Sequence, residues 1–395
     1  MSFLEKLSQG LEVEWKTLED VSIKISSGGT PKTGVASYYD GDIPWLRTQE
    51  VGSGDIWDTG VKITEAGLKN SSAKMIPKNC VIVAMYGATV GKVGINKIPL
   101  STNQACANIQ LNDKVAHYRY VYHFLLSQYE YIKSLGAGSQ TNINAQIVKK
   151  LQIPIPPIEV QKEIVRILDT FSELTAELTA ELTARKQQYD YYREELLSFE
   201  DGKVEWKSLG EIGGYSKNRI SFEKLDETNY VGVDNLLQNR VGKTDSNYVP
   251  TEGNLTAYFP NDILIGNIRP YLKKIWHADR IGGTNGDVLV IQLKDKNISP
   301  RYLYQVLADD SFFDYNMQHA KGAKMPRGNK EKIMEYKIPV PHLKEQERIV
   351  SILDKFDILT TSISEGLPKE IALRKKQYEY YRDLLLTFPK DNLEV

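Results

Sequence analysis

The chain has 395 residues, 41% hydrophobic and 26% charged, with a formal net charge of −1 and two cysteines. That length allows two cores of ordinary domain size. No apolar run is long enough to span a bilayer as a helix, which excludes a helical membrane protein. Met1-Ser2-Phe3-Leu4-Glu5-Lys6 is too polar for a secretion signal. Cys80 and Cys106 lie in apolar, strand-like runs and read as buried thiols of a reducing compartment, so a cytoplasmic protein is expected.

The charge is unevenly spread. Residues 14–150 hold 15 Lys+Arg against 11 Asp+Glu, residues 205–337 hold 19 against 17, and residues 151–204 hold 6 against 11. Two mildly basic segments therefore flank an acidic one, a weak argument for polyanion binding that a mixed-charge surface would also satisfy.

In chain order, Val13-Glu14-Trp15-Lys16-Thr17-Leu18 opens the first segment. β-rich runs such as Cys80 to Met85 then alternate with Gly-rich turns, and a helical stretch from Tyr118 to Ser134 precedes the Gly136-Ala137-Gly138 loop. Ile153-Pro154-Ile155-Pro156-Pro157 leads into Gln161, Ile164-Val165, Ile167-Leu168-Asp169 and Phe171, and the stretch ends in Tyr191-Tyr192-Arg193. The order then repeats. Val204-Glu205-Trp206-Lys207-Ser208-Leu209 opens a second β-rich segment, and its helical stretch runs from about Pro300 to Asp314. Ile338-Pro339-Val340-Pro341 leads into Gln346, Ile349-Val350, Leu353-Asp354 and Phe356 at an offset of 185, and Tyr380-Tyr381-Arg382 follows at an offset of 189. Leu393-Glu394-Val395 repeats Leu11-Glu12-Val13, which suggests termini that lie close together. A duplication this long sets the architecture before any motif is considered.

Apolar residues three or four apart, from Ile164 through Leu168, Phe171, Leu174, Leu178 and Leu182 to Tyr189 and Leu196, predict a helix from Ile158 to Phe199. At about 1.5 Å per residue it is roughly 60 Å long, and alone it would expose its stripe. The second copy is its expected partner, antiparallel and coiled-coil-like, with a break expected at Gly366 and Pro368. The predicted fold class is α/β (α+β): two globular domains, residues 1–152 and 204–337, separated by spacer helices at 153–203 and 338–395. Within the first helix Glu-Leu-Thr-Ala occurs three times over residues 173–184. Each unit adds about 6 Å and about 40° of rotation, near the roughly 34–36° turned by one base pair of B-DNA. Its length is nearer two base-pair steps, and rotation carries more weight because a reading surface must face its groove.

Catalytic signals are mostly missing. Gly87-Ala88-Thr89-Val90-Gly91-Lys92 is one residue short of a phosphate loop and lacks the Ser/Thr after Lys. Asp201 with Glu205-Trp206-Lys207 is similar to a metal-dependent nuclease element, but Glu14-Trp15-Lys16 repeats it without the aspartate, which favours a structural role. The five histidines, His117, His123, His277, His319 and His342, show no metal-ligand spacing.

Taken in order, Gly28-Gly29-Thr30-Pro31 with Asp42-Ile43-Pro44-Trp45, Gly87 to Lys92, Lys324-Met325-Pro326-Arg327-Gly328-Asn329 and both Ile-Pro-x-Pro…Gln…Ile-Val…Leu-Asp-x-Phe stretches carry a resemblance. Over essentially its whole length the chain resembles the specificity subunit of type I restriction–modification enzymes. That resemblance implies two target-recognition domains, each reading one half of a split double-stranded DNA sequence. It also implies paired helices that set the gap and hold two methyltransferase subunits, with restriction/translocase subunits completing the complex. Catalysis, S-adenosylmethionine, ATP and Mg would belong to those partners, leaving this chain without catalytic residue, metal or cofactor. The rivals are a self-sufficient nuclease or methyltransferase and a coiled-coil scaffold without a nucleic-acid role.

Base reading needs hydrogen-bonding side chains at base edges and charge at phosphates. The first domain offers Thr30, Lys32, Arg47, Gln49, Lys92, Ser139, Gln140 and Asn142 on predicted loops. The second offers Asn218, Arg219, Arg240, Asn267, Arg269, Lys273, Lys274, Lys324 and Arg327. The competing reading of each is an ordinary surface residue. Tyr191, Tyr192 and Arg193, with their copies Tyr380, Tyr381 and Arg382, are the candidate methyltransferase-docking residues; the alternative is that they close the end of the helix pair.

Overall fold

The repeated Glu-Trp-Lys marker is a strand. Glu14–Thr17 pairs antiparallel with Gln152–Ile155, Trp15 opposite Pro154, and Glu205–Ser208 pairs with Lys337–Val340 in the same register, Trp206 opposite Pro339. Proline is tolerated there because each is a two-stranded edge ribbon. The nuclease-like reading of Glu205-Trp206-Lys207 gives way to this ladder, with the Lys207 ammonium spent on Asp295 at 2.9 Å.

These ribbons belong to a computed structural model that describes residues 13–52, 54–136, 142–200, 202–362 and 364–389. The chain divides into two units, residues 1–175 with 374–395, and residues 176–373. Each takes one globular domain together with the start of one helical rod and the end of the other.

In the first unit a five-stranded sheet runs in the order Ser22–Ser27, Cys106–Leu111, Val81–Ala84, Val93–Asn96, Gly54–Ile56. It is antiparallel except at the last pair. A three-stranded sheet of Lys62–Ile63, Tyr39–Leu46 and Ser101–Thr102 accompanies it. Alternation along the strands divides the apolar residues: Val81, Val83 and Ile109 pack with the helix Tyr118–Ser127, whereas Cys80, Ile82 and Cys106 belong to a smaller cluster with Leu46 and Leu100. In the second unit Gly213–Tyr215, Val288–Leu293, Ile263–Gly266 and Ile275–His277 form one four-stranded sheet. Arg219–Ser221, Asn254–Tyr258, Gly282–Thr284 and Tyr230–Val231 form another. The helix Pro300–Leu307 packs its apolar face on the first of these through Tyr302, Leu303 and Leu307.

The central rod is one continuous helix, Ile158–Leu197, of 40 residues. Its copy is two helices, Leu343–Thr361 and Gly366–Leu386, of 19 and 21 residues. The change of offset from 185 to 189 is thus a four-residue joint, residues 362–365, inserted into an otherwise equal length. Gly366 adopts φ +76°, and a Cβ there would stand 2.2 Å from the Ile358 carbonyl oxygen, so the restart requires glycine.

Each domain grips its rod by the same bonds. Gln161 accepts from the His117 N–H at 2.9 Å and donates to the Val115 and Pro156 carbonyls at 3.0 and 2.8 Å. Gln346 accepts from the Ser299 N–H at 2.8 Å and donates to the Asn297 and Pro341 carbonyls at 2.9 and 2.8 Å. Tyr120 and Tyr302 donate to the carbonyls of Pro154 and Pro339. Arg119 pairs with Asp169, and Arg301 with Asp354.

Ring stacking joins rod to rod inside each unit. Phe171 stacks on Tyr381 at 5.1 Å, and Phe356 on Tyr189 and Tyr192 at 5.6 and 5.7 Å. The start of each rod therefore lies against the end of the other, as antiparallel rods require. Leu174, Leu178 and Leu182, within the tetrapeptide repeat, are only half-buried.

Candidate nucleic-acid interface

A turn that follows the central strand of the main sheet is built alike in both domains. Ala84 N–H donates to Lys92 O, and 182 residues on Gly266 N–H donates to Lys274 O, both at 2.9 Å. Val90 N–H bonds Gly87 O, as Leu272 N–H bonds Arg269 O. A second loop, the one before the rod-leading strand, ties to the strand end: Ile143 N–H to Met85 O and Gly328 N–H to Asn267 O, both at 3.0 Å. In each domain the same hydrogen bonds thus anchor these two loops to the sheet.

In the first domain this frame gathers Thr30, Arg47, Gln49 and Asn142. Asn142 Oδ1 accepts from the Gly87 N–H at 3.3 Å, and Thr89 donates to the Thr48 carbonyl at 2.9 Å. Thr30 donates to Gln104 Oε1, and Thr48 donates to the neighbouring Ala105 carbonyl at 3.4 Å. Arg47 is held by Glu50 at 2.6 Å, which leaves exposed Gln49 as the free polar head of that turn. Lys32 is exposed and Lys92 half-buried. Ser139 and Gln140 lie outside the described residues. Sequence reasoning missed Gln104, which only the Thr30 contact reveals, and Tyr86, exposed at the lip of the turn.

The second domain splits its nine candidates. Asn267, Arg269 and Arg327 come together: Arg269 N–H donates to Pro326 O at 2.7 Å, Arg327 bridges to both Ile268 and Lys321, and Arg327 Nη1 meets Asp287 at 2.6 Å. Asn267 is buried there, not exposed as its nomination as a reader requires, while Lys324 is exposed between the bridged Lys321 and Arg327. Gly328 fits there because a Cβ would stand 2.8 Å from Asn267 Oδ1 and 2.5 Å from Asn316 Oδ1. Arg240 and Lys273 instead converge on Asp310, Lys273 at 2.8 Å, beside a polar cavity of about 490 Å³ that Arg193 and Asp190 also line. Burial, then the nearby Arg193 charge, lowers the Arg240 pKa; burial, then Arg240, lowers that of Lys273. Lys274 donates to the Val233 carbonyl at 2.6 Å. Asn218 and Arg219 sit at an exposed strand end against Gln292 and Thr256.

The two Tyr-Tyr-Arg clusters share one plan with one difference. Tyr191 and Tyr380 are 63% and 64% exposed, so each ring lies open to solvent. Tyr192 and Tyr381 are stacked on phenylalanines of the other rod. Arg193, read from sequence as a docking residue, is 3% exposed and donates to the Gln305 carbonyl at 2.7 Å and to its side chain at 2.5 Å, because Gln305 stands where it can absorb the fork. In the first unit His123 occupies the matching place, bonded to Asp169 at 2.7 Å and Tyr378 at 3.0 Å, and Arg382 is left half-buried on Asp383. Among the described residues no group of three or more His, Cys, Asp or Glu side chains could hold a metal ion, and no helix is long and apolar enough to cross a membrane.

Comparison with known proteins agrees with this duplicated plan. Residues 11–185 and 202–373 each match the type I restriction modification DNA specificity domain. The EcoR124I/EcoR124II specificity subunit of Escherichia coli is 35% identical over 99% of this chain and 98% of its own length. The fold is similar to the type I restriction–modification S subunit of M. genitalium, with TM-score 0.63 and 18% identity over 99% of this chain and 100% of that one. It is also similar to a chain solved in a study of complex assembly in the type I restriction–modification system, with TM-score 0.56 and 16% identity over 96% and 98% of the two chains. The chain therefore belongs to the type I restriction–modification DNA specificity family, as a non-catalytic subunit that supplies sequence-specific DNA recognition.

Proposed function

We propose that the domains at residues 1–152 and 204–337 each read one half of a split double-stranded DNA target and that the two rods set the gap. The observation that carries this is the duplicated loop pair, fixed to its rod in both domains by the same Gln, Tyr and Arg contacts. Two equal reading heads on two equal mounts suit two half-sites. In the first domain Thr30, Lys32, Gln49 and Asn142 are the reading set, with Ser139 and Gln140 assigned to it from sequence alone. In the second the set is Arg269, Lys324 and Arg327, while Asn267, only 5% exposed beneath Gly328, braces the loop rather than reading a base. Arg47, Lys92, Asn218, Arg219 and Lys274 would support the backbone approach, while Arg240 and Lys273 brace the domain through Asp310.

The Escherichia coli relative is named as a subunit of a type I restriction enzyme, and this chain is read as part of a like complex in the cytoplasm. Exposed Tyr191 and Tyr380 would each seat one adenine-methyltransferase subunit. Those subunits would bring S-adenosylmethionine, and restriction/translocase subunits ATP and Mg.

The gap is the quantity to measure. Removing one Glu-Leu-Thr-Ala unit from residues 173–184 turns the helix by about 40°, so the preferred gap should change by about one base pair. Methylome sequencing of a host carrying the shortened chain and its modification subunits reads this directly. An unchanged gap refutes the ruler.

A further inference from the structure

Seven non-glycine residues among those described have positive φ. Four are Asn or Asp, which tolerate the left-handed region; the other three are Arg240 at +65°, Arg269 at +52° and Lys273 at +51°, all cations of the second domain. Such conformations are costly for long side chains and persist where something over-determines them. Arg240 and Lys273 have an evident return, since both pair with Asp310. Arg269 has none: its exposed guanidinium makes no hydrogen bond, ion pair or ring contact with any described residue.

The first domain shows the unstrained solution. By the matched hydrogen bonds, Arg269 corresponds to Gly87 and Lys273 to Gly91, and those glycines take φ +79° and +82°. The turn therefore needs left-handed backbone at both positions, which glycine supplies freely. At position 269 the chain carries arginine on a backbone glycine would serve better, with no side-chain contact to any described residue to compensate. The turn is also rigidly held. Asn239 N–H and Arg240 N–H donate to Leu272 O and Lys273 O at 3.0 Å on one side, and Arg269 N–H donates to Pro326 O at 2.7 Å on the other.

Resting on the DNA-reading function proposed above, we infer that Arg269 is the specificity-determining residue of the second domain, reading a guanine by two parallel hydrogen bonds to O6 and N7 in the major groove. A bidentate guanidinium is the side chain geometry that guanine edge selects, and a left-handed anchor clamped on both sides fixes the fork's direction. Neighbouring Arg327 is already engaged by Asp287 at 2.6 Å, which leaves Arg269 as the uncommitted fork of that cluster. The first domain, with glycine at this position, must read its half by other side chains.

The test uses the full chain with its cognate modification subunits, comparing wild type, Arg269→Gly, Arg269→Lys and the control Arg280→Gln by methylome sequencing, with melting of each purified chain. The control Arg280 is an exposed arginine paired with its chain neighbour Asp279 at 2.6 Å. Arg269→Gly is expected to keep or raise the melting temperature while relaxing the preference for one guanine in one half-site by on the order of 10- to 100-fold. Arg269→Lys should relax the same position, and Arg280→Gln none. A melting temperature lowered by several degrees in Arg269→Gly would show a structural role and overturn the inference. So would an unchanged target, or weakening spread over all sequences as a phosphate contact predicts. A wild-type chain that directs no split-site methylation overturns the underlying reading as well.

Discussion

Replacing Gln161 by Met isolates the bond that holds a domain to its rod. Methionine keeps the length of the side chain and opens no sizeable cavity, so the change is almost purely polar. Gln161 is fully buried, and its amide serves three backbone groups: the His117 N–H and the Val115 and Pro156 carbonyls. An orphaned buried N–H costs roughly 1–3 kcal/mol and each of the two lost carbonyl contacts about 0.5–1 kcal/mol, so a total of about 2–5 kcal/mol is expected. That is a large share of the roughly 5–15 kcal/mol that holds an ordinary domain together. For a unit of this size, at about 2–4 °C per kcal/mol, it lowers Tm by about 4–20 °C. Calorimetry of the full chain should show one transition moving and the other nearly unchanged, and hydrogen exchange should show faster opening at the His117 amide. Gln346→Met should move the other transition by a similar amount, since its three partners are equivalent. If either variant melts within about 2 °C of wild type, the two mounts are not equal anchors.

Two further outcomes follow from burial. Arg193→Ala removes three inward hydrogen bonds at Gln305 and Tyr189 and should destabilise the second unit by about 2–4 kcal/mol, whereas Tyr191→Ala should leave stability within about 0.5 kcal/mol of wild type and weaken capture of the methyltransferase in a pull-down; the reverse pattern would refute this division of labour. His277 is pushed down to about 4, first by burial and then by the Arg301 charge. The unfolded chain therefore binds a proton near pH 6.5 that the folded domain refuses, so this contribution to stability is intact above pH 6.5 and is lost as pH falls from there towards 4. His277→Phe should flatten that part of the urea-denaturation profile, and an unchanged slope would discount the histidine.

Much of the architecture was legible because it is periodic and duplicated. Helical spacing located the central rod, observed as Ile158–Leu197 against an expected end at Phe199, and the offsets of 185 and 189 already contained the joint at 362–365. The Glu-Trp-Lys markers were visible as repeats, but their role was not. Only the ladder to Gln152–Ile155 and Lys337–Val340 shows that each begins a domain by closing onto its last strand.

The interface was legible as chemistry and illegible as geometry. Residue type alone nominated nine side chains in the second domain as equals, yet Asp310 claims Arg240 and Lys273 and Asp287 holds Arg327. Those acids lie 70, 37 and 40 residues away along the chain, so no local pattern announces them. The same holds for Arg193, whose duplicate Arg382 is identical in sequence and differs in exposure because Gln305 faces one and His123 lies near the other. By itself the sequence determined two similar domains, two rods and a ruler-like repeat, because periodicity is a property of the backbone's own geometry. Which side chains remain uncommitted at the surface was decided only by the tertiary structure, because a charge is free or spent according to what folding places within about 4 Å of it.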